Sequence, residues 1–204
     1  MVGEGLKNNR NLNYHLDEEG KRCWTLIYKN YHLDILPAVN NPNQDYIYGT
    51  NKDANGNYTY IKTSPKKYQE WFLSIAKKYN TLLLEKAKIK EVPEFTNKTP
   101  LQKAVQLLKM NRDKYFKDSP KIAPISIIIT TLCALSYEKG DSVIEALGEF
   151  LEKYHYFIIN RNGIYYITNP VLPSENFAEK WNGEPKKKRP SFLGLIHFRV
   201  TSKD

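Results

Sequence analysis

Residues 22–38 read RCWTLIYKNYHLDILPA, and this stretch decides how the first part of the chain folds. Residues 22–28 and 31–38 are rich in aromatic and β-branched types, which predicts two strands. Lys29-Asn30 between them predicts a turn and therefore an antiparallel hairpin. An isolated hairpin is marginally stable. We therefore expect either that helices cover it or that its sheet partners are absent from this chain.

Asp34 lies inside the second predicted strand, in an otherwise apolar run. A carboxylate there carries a desolvation cost unless a hydrogen-bond network, a basic partner or a metal ion compensates it. Two interpretations are equally supported: an edge-strand aspartate paired to a basic residue, and a cleft aspartate that holds Mg²⁺ against substrate phosphates. Metal-dependent nucleotidyl transfer needs more than one such carboxylate, so Asp34 alone does not define a site.

Beyond residue 62 the pattern becomes helical. Ser64-Pro65 and Thr99-Pro100 each place a capping residue before a proline at the first helical position, and apolar residues follow both pairs at helical spacing. Residues 126–137 are nearly continuously apolar and favour a buried helix. The β-branched run at 127–131 makes a strand the competing prediction.

Shorter elements complete the prediction. Residues 142–154 predict a helix, and residues 157–159 and 164–167 predict a short hairpin around Asn162-Gly163. Residues 174–181 predict a short helix. A small β element at the start is therefore followed by a mostly helical body.

Composition limits the classes of partner. The 204 residues carry 31 basic and 22 acidic side chains, a net charge of +9, which indicates an anionic partner. A lysine-rich surface is the simpler interpretation, and the basic run at 186–189 is expected to be a solvated loop.

Mean hydropathy is −0.61, and no apolar run approaches the roughly 20 residues of a membrane span. Residues 1–5 contain no apolar signal core. We therefore expect no membrane partner.

Cys23 and Cys133 both lie in apolar surroundings. We expect them to be reduced core residues, which favours a cytoplasmic location.

Two further residues are candidates for binding. Lys109 lies on or beside the apolar stripe of the helix that starts at Thr99-Pro100. There it either snorkels to solvent, which the rarity of buried lysine favours, or points into a cleft. Ser126 opens the apolar helix and is expected to be its N-cap. The functional alternative adds a phosphate at that helix start, where anions are attracted.

Several segments, in their order along the chain, resemble the bacterial CD-NTases, the cGAS/DncV-like nucleotidyltransferases. The resemblance runs from about residue 20 to near the C-terminus. The segments are RCWTL at 22–26, HLDILPA at 32–38, SPKKYQEWF at 64–72, LQKAVQLLK at 101–109 with Arg112-Asp113, PIS at 124–126 with TTL at 130–132, and NPV at 169–171 with ENFAEKW at 175–181.

This resemblance implies an α+β fold. It implies a remnant of a polymerase-β-like nucleotidyltransferase sheet in residues 1–62 and a mostly helical domain with a short β-hairpin in residues 63–204. It also implies nucleoside triphosphate substrates, Mg²⁺ or Mn²⁺, and cyclic di- or trinucleotide products that signal in antiphage defence. By resemblance, Asp34 is the third metal-binding carboxylate, and Lys109 and Ser126 hold the donor triphosphate.

The chain departs from the family at its start. The family's Gly-Ser motif and paired Asp-x-Asp should precede Asp34, and residues 1–21 supply neither. We therefore expect the C-terminal part of such an enzyme, inactive alone; a fragment, a split-gene product and a degenerate relative are the open alternatives. Enzyme activity would require a separate chain that supplies the N-terminal core. The alternative is a non-catalytic module that binds nucleotide or a partner. Nucleic acid is not expected as a partner; it would bind with strongly salt-dependent affinity.

Overall fold

The computed structural model describes residues 2–53, 55–87 and 98–183, without the side chains of residues 79–87, 121 and 183. The chain divides into two compact units, Met1–Lys67 and Tyr68–Asp204. Helices and strands occur in both, which confirms the α+β class. The predicted solvated loop at 186–189 lies outside the described residues. Among the helices that the structure describes, none combines the length and apolar character needed to cross a membrane.

The first unit starts with two short helices and continues as five strands. β1 and β2 pair as the predicted antiparallel hairpin, and β3, β4 and β5 form an antiparallel sheet in that order. The elements are α1 (Val2–Asn8), α2 (Arg10–Asn13), β1 (Trp24–Ile27), β2 (His32–Ile35), β3 (Ala38–Asn40), β4 (Ile47–Lys52) and β5 (Tyr58–Thr63).

The apolar core of this unit is small. Among its described residues, the buried apolar side chains are Leu6, Trp24 and Leu26. The Trp24 ring packs against Gly3 of α1, where an added Cβ would lie only 2.2 Å from a ring carbon. Lys7 places its ammonium 5.2 Å from the centre of the same ring. One aromatic side chain therefore anchors α1 to the hairpin.

The second unit is mostly helical, with two short pairs of antiparallel strands. Its elements are α3 (Pro65–Ala87), α4 (Pro100–Tyr115), α5 (Ser126–Ser136), α6 (Val143–Lys153), β6 (Ile159–Arg161), β7 (Ile164–Tyr166), β8 (Thr168–Asn169), β9 (Leu172–Asn176), α7 (Glu179–Gly183) and 3₁₀ turns at Pro120–Ile122 and Tyr154–Phe157.

One hydrophobic cluster joins α4, α5 and α6. Leu101 and Leu108 of α4, Ile129 and Leu132 of α5 and Phe150 of α6 are all buried in it. The apolar run at 126–137 is therefore a helix, and the competing strand prediction is excluded. Burial of such side chains against neighbouring helices outweighs the modest cost of β-branched residues in a helix.

Side-chain hydrogen bonds cap the two helices whose N-termini were predicted at Thr99 and Ser142. Thr99 and Gln102 form a capping box at α4, and Ser142 and Glu145 form another at α6. Each box satisfies two backbone N–H groups that the helix itself leaves unpaired. The predicted helix starts are confirmed at these two positions.

The hairpin around Asn162-Gly163 is confirmed, with Asn162 at φ 50° and Gly163 at φ 80°. Its first strand begins at Ile159, two residues later than predicted, because Tyr154–Phe157 form a 3₁₀ turn. These left-handed conformations are those of a two-residue hairpin turn, and Asn-Gly adopts them readily. The helix predicted for 174–181 is wrong over its first half. Strand β9 occupies residues 174–176 because it pairs with β8. The Asn176 side chain supports this conformation: it accepts from the Ile167 N–H at 3.0 Å and donates to the Tyr165 carbonyl at 2.9 Å.

Candidate functional site

Asp34 lies on an exposed face of the hairpin. Strand alternation places it opposite Thr25, whose hydroxyl donates to Asp34 Oδ1 at 2.7 Å. The side chain is exposed, so the predicted desolvation cost is not incurred. Within the described part of the chain Asp34 has no basic partner, so the ion pair that one of the two interpretations required is absent. Asp34 therefore presents a solvated carboxylate, held by one hydroxyl.

A metal site would require more than this carboxylate. In the residues that the structure describes, no group of three or more His, Cys, Asp and Glu side chains could hold a metal ion. Enzymes that use two ions for in-line displacement clamp both the attacking and the leaving oxygen, which takes several ligands. Asp34 thus fits the role of a single ligand and does not by itself fit a complete metal centre.

Lys109 lies where its helix meets solvent. The stripe of Leu101, Ala104, Val105 and Leu108 is buried, and Lys109 is half-buried beside it. Burial lowers the pKa of Lys109 below its ordinary value, and the positive charge of Arg112 lowers it further. Among the described residues Lys109 forms no hydrogen bond and no ion pair. This arrangement leaves its ammonium available to an anion.

Arg112 connects α4 to the start of α5. Its Nη1 donates to Ser126 Oγ at 2.9 Å and to the Pro124 carbonyl at 3.1 Å. Its Nε donates to Asp113 Oδ1 at 2.8 Å, which partly neutralises that carboxylate. The sequence interpretation gave Arg112 no site role. The available signal was its spacing, because a residue three positions after Lys109 lies on the same side of the helix.

Ser126 is not the N-cap of α5, contrary to the sequence prediction. The N-cap is Ile125, without a side-chain capping bond, and Ser126 is the first helical residue. The Ser126 side chain is exposed and its hydroxyl accepts from Arg112. A hydroxyl that accepts keeps its own proton for a further acceptor.

Together these groups form a cationic cluster, defined here as Lys109, Arg112 and Ser126. It lies at the N-terminus of α5, where the backbone N–H groups of Ser126 and Ile127 begin the helix. Lysine, arginine, a hydroxyl and a helix N-terminus are the groups that bind phosphates. The structure thus connects Ser126 directly to Arg112, and Arg112 electrostatically to Lys109.

The chain is similar to known proteins in sequence and in structure. No family model matches the chain. A c-di-GMP synthase from Roseivirga ehrenbergii is 39% identical over 190 residues, covering 88% of this chain and 50% of that protein. The CD-NTase CdnG of Bradyrhizobium diazoefficiens, solved in complex with GTP, matches with a TM-score of 0.62 at 18% identity, over 90% of this chain and 59% of that chain.

The chain is CD-NTase-like.

The structural match shows the CD-NTase fold and confirms the fold that the resemblance implied. This CD-NTase-like chain spans about half the length of the curated relative that it matches.

Proposed function

We propose that this CD-NTase-like chain is the C-terminal part of a cyclic-dinucleotide synthase, and that it binds the donor nucleoside triphosphate through the cationic cluster. The observation that carries the proposal is the state of Lys109. It is a half-buried lysine that makes no ion pair in the described residues, one helical turn from Arg112, and the charge of Asp113 only partly offsets the lowering of its pKa by burial and Arg112. A bound triphosphate would add the negative charge that favours the protonated form of Lys109.

GTP is the proposed substrate. The Roseivirga relative is named a c-di-GMP synthase, and the Bradyrhizobium neighbour was solved with GTP. In the proposal, Lys109 contacts the triphosphate as a point charge, and Arg112 holds Ser126 so that its hydroxyl donates to a phosphate oxygen. The product would be a cytoplasmic signal of antiphage defence.

Asp34 is proposed to supply one carboxylate to the metal ions, Mg²⁺ or Mn²⁺, that nucleotidyltransferases of this kind generally use. The remaining ligands would come from an N-terminal core, on a separate chain or on a longer form of this one. Because the described residues hold no metal-binding group of three or more ligands, we expect no synthesis by this chain alone. Thin-layer chromatography after incubation with labelled GTP and Mg²⁺ or Mn²⁺ tests this, and robust product would refute it.

Calorimetric titration with GTP tests the nucleotide site. Lys109→Ala removes one charge-assisted contact worth about 1.5–3 kcal/mol, so we expect Kd to rise roughly ten- to a hundredfold. Lys103→Ala is the matched control, because Lys103 is an exposed lysine on the same helix. Its expected effect is less than twofold. Equal affinities of the Lys109→Ala and wild-type chains would sink the proposed site.

A nucleotide-binding module without catalysis is the second candidate function. The observation that favours it is the single exposed Asp34 carboxylate without a metal-binding cluster in the described residues. The two candidate functions predict different products when a CD-NTase N-terminal core is added to the chain. The synthase then forms cyclic dinucleotide, whereas the module binds GTP and forms none.

A further inference from the structure

The first unit contains a cleft of about 520 Å³ that α1, residues 19–24 and the strands β4 and β5 enclose. Small-molecule sites in proteins typically measure roughly 300–1,000 Å³, so this cleft has room for a ligand. We call it the tyrosine cleft. Its basic and aromatic lining residues are Lys7, Lys21, Arg22, Trp24, Tyr58 and Tyr60. None of them belongs to the cationic cluster.

Two tyrosines of β5 present aromatic rings to the tyrosine cleft. Tyr58 and Tyr60 are two positions apart, so they lie on the same face of the strand, and they are 57% and 63% exposed. The Tyr58 hydroxyl donates to Glu19, and the Lys52 ammonium lies 5.8 Å from the centre of the Tyr58 ring. Glu19 also forms an ion pair with Lys52 at 2.6 Å. Tyr58 is therefore held in place before a ligand binds, and a planar ligand that lies along β5 can contact both rings.

Positive charge accompanies the aromatic rings of the tyrosine cleft. Its three basic lining residues face two carboxylates, those of Glu4 and Glu19. Because Glu19 already pairs with Lys52, the lining keeps an excess of positive charge. Lys21 is exposed, so its ammonium can reach a ligand. Grooves that combine basic side chains with aromatic rings bind nucleotides, since the rings stack on the bases and the cations contact the phosphates.

Trp24 of the tyrosine cleft and Asp34 lie on opposite faces of the hairpin, because residues alternate along paired strands. A ligand beside Trp24 is therefore not held by the carboxylate that is proposed to bind metal. We propose that the tyrosine cleft binds a nucleoside phosphate, with the base against Tyr58 and Tyr60 and the phosphate beside Lys21. The inference does not depend on the proposed function, because the cleft belongs to the first unit and the cationic cluster to the second.

NMR of the tryptophan indole N–H groups tests the tyrosine cleft. The chain contains three tryptophans. Trp24 lies in the first unit, and Trp71 and Trp181 lie in the second, so the Trp24 resonance, assigned by comparison with Trp24→Phe, reports on the cleft. The probe is GMP, added to the Lys109→Ala chain so that binding at the cationic cluster is weakened. We expect GMP to shift the Trp24 resonance saturably and to leave the other two in place.

Two further probes separate the contribution of the base from that of the phosphate. Guanosine keeps the aromatic base without the charge, and inorganic phosphate keeps the charge without the base. Because the proposal requires both contacts, we expect each of these probes to bind at least tenfold more weakly than GMP in the same titration.

Variants of the lining identify the contacts. Tyr60→Ala removes an exposed ring and Lys21→Ala removes an exposed charge, and each is expected to raise the Kd for GMP about fivefold or more. Tyr156→Ala is the matched control for the ring, at a 70% exposed tyrosine of the second unit, and Lys29→Ala is the control for the charge, at an exposed lysine of the first. Both controls should change Kd less than twofold. Circular dichroism establishes that each variant is folded.

Four results would overturn the inference. They are a Trp24 resonance that GMP leaves in place, equal affinity for GMP and for guanosine or phosphate, GMP affinity that tolerates both Tyr60→Ala and Lys21→Ala, and a single-stranded oligonucleotide that binds at least tenfold tighter than GMP with steeply salt-dependent affinity. The last result would indicate a nucleic-acid surface.

The proposed function fails or stands separately from this inference. GTP affinity that falls with Lys109→Ala, while GMP leaves the Trp24 resonance in place, supports the cationic cluster and refutes the tyrosine cleft. GTP affinity that Lys109→Ala leaves unchanged, while GMP still shifts the Trp24 resonance, supports the tyrosine cleft and refutes the cationic cluster.

Discussion

Replacement of Arg112 by methionine is expected to weaken the second unit, because this side chain bridges two helices. The exposed fraction of its side chain is 14%, and its Nη1 donates hydrogen bonds to both the Ser126 hydroxyl and the Pro124 carbonyl. Hydrogen bonds that involve a charged group contribute about 1.5–3 kcal/mol each. Since one nitrogen makes both bonds and Ser126 is exposed, we assign about 2 kcal/mol to the pair. The contact with Asp113, 66% exposed, adds at most about 1 kcal/mol.

Urea denaturation followed by circular dichroism measures this effect through the helical signal. With a slope of about 2 kcal/mol per molar urea, the midpoint should fall by about 1 M at unchanged slope. Asp113→Asn is the matched control, since it removes the exposed pair and keeps both bonds to α5. We expect its midpoint to move by less than about 0.5 M. The reasoning is refuted if Asp113→Asn costs as much as Arg112→Met, or if Arg112→Met leaves the midpoint unchanged.

Three further predictions concern stability. Phe150→Ala should lower the free energy of unfolding by about 3–5 kcal/mol in urea because Phe150 is fully buried, whereas Ile144→Ala at an exposed position should change it by less than about 0.5 kcal/mol. Thr99→Ala should cost about 1 kcal/mol in the same assay, through loss of the capping box. Burial raises the pKa of Tyr68 to about 12, and an unfolded tyrosine loses its proton near pH 10, so the free energy of unfolding should fall as the pH rises from about 10 to 12. Tyr68→Phe should remove that part of the fall and keep the part due to Cys133, whose pKa burial also raises to about 12; an unaltered pH profile would contradict the assignment.

Local sequence signals predicted the elements that local chemistry controls. The hairpin at 22–38 follows from β-branched and aromatic residues around a short turn, and β6–β7 follows from Asn162-Gly163. The N-terminus of α4 follows from Thr99-Pro100. In each case residues within a few positions of one another supply the stabilising interaction.

The missed elements depend on distant partners. Strand β4 contains Gly49 and Asn51, which are typical of turns, and it is a strand because it pairs along its whole length with β5. The end of β9, residues 174–176, was predicted to be helical, because the bonds of Asn176 to Tyr165 and Ile167 come from across a turn.

The same distinction between local and distant interactions applies to the candidate site. Strand alternation and helical spacing place Asp34 beside Thr25 and Lys109 beside the apolar stripe. The exposure of Asp34 and the link from Arg112 to Ser126 depend on tertiary packing, so no local pattern could establish them.

The most direct test of the central claim measures the pKa of Lys109 with and without GTP. In a chain with ¹³C-labelled lysine, the Cε resonance of Lys109 is assigned by comparison with Lys109→Arg and titrated by NMR. Burial and Arg112 lower this pKa in the unbound chain, and a bound triphosphate favours the charged form. We expect a pKa below the ordinary value of a lysine in the unbound chain, and a rise of this pKa when GTP binds. A pKa that GTP leaves unchanged, while GTP demonstrably binds, would contradict it.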